Sequence, residues 1–200
     1  MLKIYLTRHG QDIDNKNGIL NGHEDKSLTD VGMQQAQELA GKIKNAGLNF
    51  DYIYSSPLKR AFETAKIISN VIRGPIPLKE DLLIEREFGI ISGKKKTAIE
   101  SFCAPNIIKT EKITYCLSPE GAETFPELLK RAGVLLDKIN KQHESGNILL
   151  VGHGDTGMMI YAKYFNLDWK DTLKKLYFGN CDLLLLSADS TAENPFVFKA

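Results

Sequence analysis

The sequence predicts a single α/β domain in which helices cover both faces of a mostly parallel β-sheet. Short apolar segments rich in β-branched and aromatic residues alternate with longer segments whose apolar residues recur at helical spacing. This alternation is typical of βαβ units, which place helices on both faces of a sheet. The length of 200 residues, with 42% hydrophobic and 26% charged residues, fits one globular domain with its own core.

The first half of the chain contains two strand–helix pairs and a further short strand. The strands are predicted over Lys3–Thr7, Asp51–Ser55 and Ile76–Leu78, and the helices over Leu28–Ala46 and from Pro57 to Arg73. Ser56 is a favoured N-cap residue and Pro57 a favoured first helical residue, so the second helix is expected to begin there. Gly74-Pro75 breaks the helical pattern and ends it.

The second half begins with a long irregular segment, Glu80–Glu120, of a kind that is usually functional or mobile in a compact domain. Its run Lys94-Lys95-Lys96 is expected to be a solvated face, with steering of an anionic substrate as the alternative. The elements beyond it are a helix from a capping box at Thr124–Glu127 to Ser145-Gly146, a strand over Asn147–Val151, a helix bearing Met158, Met159, Ala162 and Phe165, a strand over Cys181–Ser187 and an edge strand over Phe196–Lys199.

The composition argues against several classes of protein. Lys plus Arg number 26 and Asp plus Glu 25, whereas nucleic-acid-binding proteins usually carry a basic excess. The sequence has no signal-peptide pattern and no apolar run of the roughly 18 residues that cross a bilayer. Cys103, Cys116 and Cys181 are odd in number and widely spaced, so we expect three reduced thiols. The expectation is a cytoplasmic protein that binds neither nucleic acid nor membrane.

Polar side chains of a similar kind follow three of the predicted strands. Arg8 and His9 follow the first strand, Arg60 lies just beyond the second, and His153 follows the strand over Asn147–Val151. Ligands of parallel α/β sheets bind at the carboxyl ends of the strands, so these side chains are expected to share one crevice. Arginine matches phosphate oxygens, and imidazole can attack phosphorus or hold a metal ion. Both roles for imidazole are open, although the adjacent arginines would repel a cation.

Five motifs follow one another along nearly the whole chain. They are Leu6–Gln11 with Asn15 and Asn21-Gly22, Ser55–Ala61, Leu83–Glu85 with Gly89, Pro119–Glu123 with Arg131, and Leu150–Gly154. In this order they resemble the motifs of the histidine phosphatase superfamily, the phosphoglycerate-mutase-like group. The resemblance implies a three-layer α/β/α domain whose mostly parallel sheet has an antiparallel edge strand.

The resemblance also implies a reaction that needs neither a metal ion nor another cofactor. His9 would attack the phosphoryl group to form a phosphohistidine, and Glu85 would protonate the leaving group and later activate water. Glu80 and Glu87 are rival candidates for that acid. The groups that would bind the phosphate and stabilise its charge are Arg8, Asn15, Asn21, Gly22, Arg60, His153 and Gly154, with a protonated His153 as a further donor beside the arginines.

Within this group, the sequence favours a phosphatase that acts on a small phosphorylated metabolite. The resemblance implies that mutases carry a long insertion with an arginine pair, and residues 91–119 contain no arginine. We expect residues 80–120 to form a cap or insertion over the active site. A cofactor-dependent phosphoglycerate mutase and a non-catalytic protein that binds phosphorylated ligands are the alternatives.

Three residues depart from the motifs. Asp12 stands where the family usually has Ser or Thr, Asp155 where a small or hydroxyl residue is commoner, and Met158 where an arginine is often found. A carboxylate at Asp12 is expected to weaken phosphate binding unless it points away. His23 and His143 are expected to have structural roles, near the mouth of the site and at a solvated helix end respectively.

Overall fold

The computed structural model describes residues 1–199, which form a central sheet, a separate hairpin and α-helices. The strands are β1 (Leu2–Arg8), β2 (Tyr52–Ser55), β3 (Leu78–Lys79), β4 (Ile107–Lys109), β5 (Thr114–Cys116), β6 (Gly146–Gly152), β7 (Leu183–Leu186) and β8 (Phe196–Phe198). The helices are α1 (Ile13–Asn17), α2 (Asp30–Asn45), α3 (Lys59–Ile72), α4 (Ile99–Cys103), α5 (Phe125–Gln142), α6 (Gly154–Tyr164) and α7 (Trp169–Lys175).

The central sheet has the strand order β3-β2-β6-β1-β7-β8. The pairs β1–β6, β2–β6 and β2–β3 are parallel, whereas β7 is antiparallel to β1 and β8 is antiparallel to β7. The predicted α/β fold, with a mostly parallel sheet and an antiparallel edge, is therefore confirmed. The strands β4 and β5 form a separate antiparallel hairpin.

Alternate residues of the buried strands face opposite layers of helices. Leu6 and Leu150 pack in a cluster with residues of α5 and α6, whereas Tyr5 and Leu149 pack in a second cluster with residues of α2 and α3. Successive side chains of a strand point to opposite faces of the sheet, so strands that are apolar on both sides need a helical layer on each. This requirement gives the three-layer architecture.

Several element boundaries differ from the predictions. The strand β3 covers Leu78–Lys79 rather than Ile76–Leu78, and α3 begins only at Lys59, with Leu58 as its N-cap. Ser56 lies two residues before the N-cap; its hydroxyl still accepts the backbone N–H of Leu58, as a capping residue would, and it also bonds with the ring of His153. The helices α1 and α7 have five and seven residues, too few to show a periodic pattern, and were not predicted.

The segment predicted as irregular, Glu80–Glu120, is largely structured. It contains 3₁₀ turns at Asp81–Leu83, Gly89–Ile91 and Lys96–Ala98, followed by α4 and the β4–β5 hairpin. A small buried cluster of its own holds these pieces together, and consists of Leu20, Phe88, Ile91, Ile99, Cys103 and Cys116. The local elements are too short for sequence periodicity to show them.

The prediction of three reduced thiols is wrong for two of them. Cys103 and Cys116 form a disulfide with their Cα atoms 5.7 Å apart. Their separation of 13 residues in the sequence does not predict a disulfide. Cys103 ends α4 and Cys116 ends β5, and the two meet because the β4–β5 hairpin folds β5 back against α4. Cys181 is a buried free thiol, and burial raises its pKa to about 12. Within residues 1–199, no helix combines the length and apolar character needed to cross a membrane.

Candidate active site

A cavity of about 490 Å³ lies where β1 and β6 end. Its walls come from the segment after β1, the start of α3, the start of α6 and residues between Glu85 and Cys116. The sequence-predicted residues that line it are Arg8, His9, Asn15, Asn21, Arg60, Glu85 and Gly154. Gly22 and His153 lie directly behind this surface, in contact with Arg60. The parallel pairing of β1 with β6 explains why residues about 145 positions apart meet here.

His9 presents one ring nitrogen to the cavity. Its side chain is only 3% exposed, and Nδ1 lies 2.6 Å from the carbonyl oxygen of Gly10. A carbonyl can only accept, so Nδ1 carries the hydrogen and Nε2 keeps its lone pair. Burial, reinforced by the charges of Arg60 and Arg8, lowers the pKa of His9 well below its ordinary value. The ring is therefore a neutral imidazole with a free Nε2, as a nucleophile requires.

Arg60 is held in place by the loop before α2. The guanidinium donates to the carbonyl of Gly22 and to that of Glu24, each at 2.8 Å, and to the side-chain oxygen of Asn21 at 3.3 Å. Asn21 in turn donates to Asp14 at 2.6 Å. These bonds fix the planar fork of an almost fully buried arginine at the cavity wall. Gly22 thus serves the site through its carbonyl oxygen.

Arg8 and Gly154 form the part of the wall nearest to Glu85. Arg8 donates to the carbonyl of Phe178 at 3.1 Å, whereas its buried Nε has no hydrogen-bond partner among residues 1–199. A Cβ atom at Gly154 would lie 3.6 Å from Cζ of Arg8 and 3.7 Å from Oε2 of Glu85. The absence of a side chain at Gly154 therefore keeps the space between the guanidinium and the carboxylate open.

His153 lies behind Arg60. Its ring centroid is 5.0 Å from that of His9, and its Nδ1 accepts a hydrogen bond from Nε of Arg60 at 3.2 Å. The remaining nitrogen, Nε2, then donates to Oγ of Ser56 at 2.8 Å. Burial, with the charge of Arg60, lowers the pKa of His153 well below its ordinary value. The neutral ring positions Arg60, which differs from the protonated donor that the family resemblance implied.

Glu85 is oriented by the N-terminus of α6. Its carboxylate accepts from the backbone N–H groups of Thr156 at 3.0 Å, Arg86 at 2.9 Å and Asp155 at 3.3 Å. Arg131 donates to the carbonyls of Leu82 and Ile84 at 2.8 and 2.7 Å, which fixes the segment that carries Glu85. The proline-glycine-acidic motif with Arg131 thus supports the site from outside it.

The two rival carboxylates lie elsewhere. Glu80 pairs with Lys138 at 2.6 Å, and Glu87 pairs with His23 at 3.0 Å. Neither lines the cavity, so Glu85 alone of the three faces it. His23 also bonds to the carbonyl of Glu85 at 2.8 Å, close to the mouth of the site. His143 caps α5 and bonds to the hydroxyl of Tyr54 at 2.9 Å.

Several lining residues were not predicted as part of the site. Asn180 donates to the carbonyl of His9 at 2.7 Å and to Oδ1 of Asn15 at 3.2 Å, and no sequence signal points to it. Lys96 also lines the cavity, although the sequence pattern predicts a solvated face for its run. Burial, together with the charge of Arg8, lowers the pKa of Lys96. Tyr115 also lines the cavity, because the β4–β5 hairpin places β5 beside it.

Asp155 and Met158, which depart from the motifs, both contact neighbouring side chains. Asp155 forms an ion pair with Arg86 at 2.8 Å, and burial raises the pKa of Asp155 against the effect of that guanidinium. Met158 lies 3.6 Å from the hydroxyl of Tyr115, measured from its sulfur. Within residues 1–199, no group of three or more His, Cys, Asp or Glu side chains is placed to hold a metal ion.

The fold and the cavity together define an α/β protein with a neutral histidine, two arginines and a carboxylate around a cavity at the carboxyl ends of its central parallel strands. The chain belongs to the histidine phosphatase superfamily (branch 1), whose family profile matches residues 4–194. The residues of this cavity therefore lie within the part of the chain that the family shares.

Individual relatives carry two different activities in their names. A 2,3-bisphosphoglycerate-dependent phosphoglycerate mutase from Parvibaculum lavamentivorans is 31% identical over 157 residues, which cover 76% of this chain and 75% of the mutase. The structure of a phosphoserine phosphatase from Entamoeba histolytica, in complex with 3-phosphoglyceric acid, is 27% identical, with a TM-score of 0.73 over 92% of this chain and 90% of that one. Bacillus stearothermophilus YhfR shares the fold, with a TM-score of 0.79, 24% identity, and coverage of 98% and 94%.

Proposed function

We propose that the protein is a phosphatase that hydrolyses small phosphate monoesters through a phosphohistidine on His9. The observation that carries this proposal is the hydrogen bond from Nδ1 of His9 to the carbonyl of Gly10, which leaves Nε2 as the free nitrogen of a neutral ring at the cavity wall. A neutral imidazole with one nitrogen anchored is pre-organised to attack phosphorus. Neither a metal ion nor another cofactor is required for this step.

The charges of the cavity suit a phosphoryl group. Arg8 and Arg60 present fixed positive charge to the cavity that His9 lines, and both charges act on His9; such charges stabilise the equatorial phosphoryl oxygens during attack. Asn15, whose side-chain oxygen accepts from Asn180, lines the same wall. Because the arginines are held by backbone carbonyls, their orientation does not have to be set when the ligand binds.

Glu85 supplies the proton for the leaving group. The carboxyl group faces the cavity beside Gly154 and is held there by backbone N–H groups of α6. In the first step, which begins with Glu85 protonated from solvent, Nε2 of His9 forms the bond to phosphorus, the ester P–O bond breaks, and the alkoxide takes the proton of Glu85. In the second step Glu85 takes a proton from water, which attacks phosphorus and releases His9 and inorganic phosphate.

We infer that residues 80–120 serve as a cap over this site and choose the leaving group. Phe88, Ile91, Lys96 and Tyr115 line the cavity from this segment. Lys94 and Lys95 are engaged elsewhere, the former over the ring of Phe102 and the latter at the carbonyl of Asn17. Lys96 is thus the lysine of the run that is placed to attract an anionic substrate.

Phosphoglycerate mutase activity is the second candidate. It is favoured by the mutase relative and by Lys96, a cation in the cavity for a second anionic group on the substrate. The lack of any arginine in residues 91–119 weighs against it, because the other cap cations at the cavity are already engaged: Arg86 pairs with Asp155, and Lys112 lies over the ring of Tyr177. A small phosphorylated metabolite is the expected ligand in either case.

The experiment is an assay of p-nitrophenyl phosphate hydrolysis by the wild type and His9→Ala, each with and without a metal chelator. We expect release of nitrophenol by the wild type alone, unchanged by chelator. Loss of activity with chelator would refute the metal-free route, and no release by the wild type would favour a non-catalytic binding protein. A separate assay uses 3-phosphoglycerate with a bisphosphate primer. Conversion to 2-phosphoglycerate that is faster than hydrolysis of either phosphoglycerate would establish the mutase instead.

A further inference from the structure

Asp12 is a buried carboxylate beside the proposed phosphate site that the mechanism above does not use. It is fully buried, and Oδ1 accepts the backbone N–H of Asn15 at 2.6 Å as the N-cap of α1. The other oxygen, Oδ2, lies 3.4 Å from Nε of Arg60 and has no hydrogen-bond partner within residues 1–199. A serine or threonine at this position would cap the helix equally well without adding a charge.

The carboxylate competes with a ligand for the charge of Arg60. Nε of Arg60 lies next to Oδ2, and the same guanidinium lines the cavity where a phosphate group would sit. A phosphate dianion would add two negative charges within a few ångströms of this ion pair. Like charges at such distances in a buried site are costly, and one of the groups then binds a proton.

The surroundings of Asp12 favour protonation of Asp12 rather than of the bound phosphate. Burial raises the pKa of Asp12, and the neighbouring carboxylate of Asp14 on the same helix raises it further, against the effects of Asn15, Arg60 and Arg8. Lys96 lines the same cavity as Asp12 and interacts electrostatically with it. Protonation at Oδ2 would break no hydrogen bond, because that atom accepts none from the described residues.

We propose that Asp12 takes up a proton from solvent when a doubly charged phosphate group binds beside Arg60. The O–H bond forms at Oδ2, the charge of Arg60 is released from its partner, and the ligand receives it. The site then binds its ligand more tightly at mildly acidic than at neutral pH. This inference rests on the phosphate site proposed above.

Sulfate is a suitable probe, because it keeps two negative charges through the mildly acidic and neutral range. Its binding to the wild type is measured by calorimetry in buffers of different ionisation enthalpy, which reports the protons taken up. We expect uptake that approaches one proton per sulfate, and an affinity that falls as pH rises. In Asp12→Asn and Asp12→Ser, which keep a capping oxygen, we expect no such uptake and about tenfold tighter sulfate binding at neutral pH. Glu24→Gln, which removes an exposed carboxylate near Arg60, is the matched control and should behave as the wild type.

The outcomes separate this inference from the proposed function. Uptake in the wild type that is lost in both Asp12 variants supports it, whether or not the protein hydrolyses any ester. Equal uptake in wild type and variants, no uptake in the wild type, or weaker sulfate binding in both variants would overturn it, the last because Asp12 would then act only by positioning Arg60. Hydrolysis without coupled proton uptake would leave the phosphatase proposal standing and remove this one.

Discussion

The two walls of the cavity are built in different ways. The sheet wall, formed by Arg8, His9 and Arg60, lies at the ends of parallel strands and is fixed by bonds to backbone carbonyls. The cap wall, formed by Phe88, Ile91, Lys96 and Tyr115, rests on short elements, a small apolar cluster and a disulfide. Under the proposed function, the groups that react and the groups that select the substrate therefore lie in different walls of the cavity. Changes in the sheet wall should lower kcat, whereas changes in the cap wall should raise KM.

Glu85 lies where the two walls meet, and its substitution should have the largest effect. Glu85→Gln removes the proton donor, so hydrolysis of an alkyl phosphate should slow by about a thousandfold or more. With p-nitrophenyl phosphate, whose leaving group departs without a proton, the first step should survive and the second should not. Rapid-quench kinetics should then show a burst of nitrophenol close to one equivalent. Glu87→Gln is the control, and an equal loss in that variant would contradict the assignment.

Arg60→Lys should have the next largest effect and should act on the sheet wall. A lysine cannot reproduce the fork that contacts Gly22, Glu24 and His153 while presenting charge to the cavity. We expect kcat for p-nitrophenyl phosphate to fall by about a hundredfold, with a smaller change in KM. Circular dichroism would check that the variant is folded. Arg73→Lys, at the exposed end of α3, is the control and should change kcat less than twofold. Retention of activity in Arg60→Lys would show that the sheet wall does not carry the reaction.

Lys96→Met tests the cap wall. Loss of this cation should raise KM for 3-phosphoglycerate by about tenfold and leave hydrolysis of p-nitrophenyl phosphate, which has no second anionic group, nearly unchanged. Lys95→Met is a matched control, because the Lys95 ammonium bonds to the carbonyl of Asn17 rather than lining the cavity. If both substrates lose activity equally in Lys96→Met, the residue serves the phosphate itself and the division between the walls fails.

The disulfide should have the smallest effect on activity. The double variant Cys103→Ser/Cys116→Ser removes a cross-link that closes a short loop, which is worth about 3 kcal/mol or less in stability. Thermal unfolding followed by circular dichroism should show a lower midpoint, with KM raised a few-fold and kcat retained. Cys181→Ala, in the apolar cluster with residues of α2 and α3 rather than in the cap, serves as the control. A fall in kcat as large as that of Arg60→Lys would show that the cap also sets the chemistry.

The same contrast explains what the sequence could predict. Arg8, His9 and His153 follow apolar strands directly, so the local pattern and the rule for strand ends predict that they lie close together; Arg8 and His9 line the cavity, and His153 lies directly behind it. Asn180 and Lys96 reach the cavity only through the path of the chain in three dimensions, and the pairing of Cys103 with Cys116 depends on a hairpin of short strands. Such contacts leave no periodic trace in the sequence.

Ser56 shows a different limit of sequence-based prediction. Serine before proline is a strong helix-start signal, yet its hydroxyl is engaged by the ring of His153, and α3 starts later. Ser56 fits the pattern for a helix start, but its hydroxyl contacts a residue of the candidate site. Functional sites are where such local patterns are expected to fail. His153 likewise lies where the strand pattern predicts it, but its tautomer depends on Arg60, which no spacing reveals.

The central claim is that His9 carries the phosphoryl group, and the most direct measurement is to trap it. The wild type, Glu85→Gln and His9→Ala are each mixed with p-nitrophenyl phosphate that carries radioactive phosphorus. Each reaction is quenched within the burst, and the protein is digested for peptide mass spectrometry. We expect an acid-labile, base-stable phosphoryl group on the peptide that contains His9, more abundant in Glu85→Gln than in the wild type and missing from His9→Ala. Turnover with no label on that peptide, or label on another residue, would contradict it.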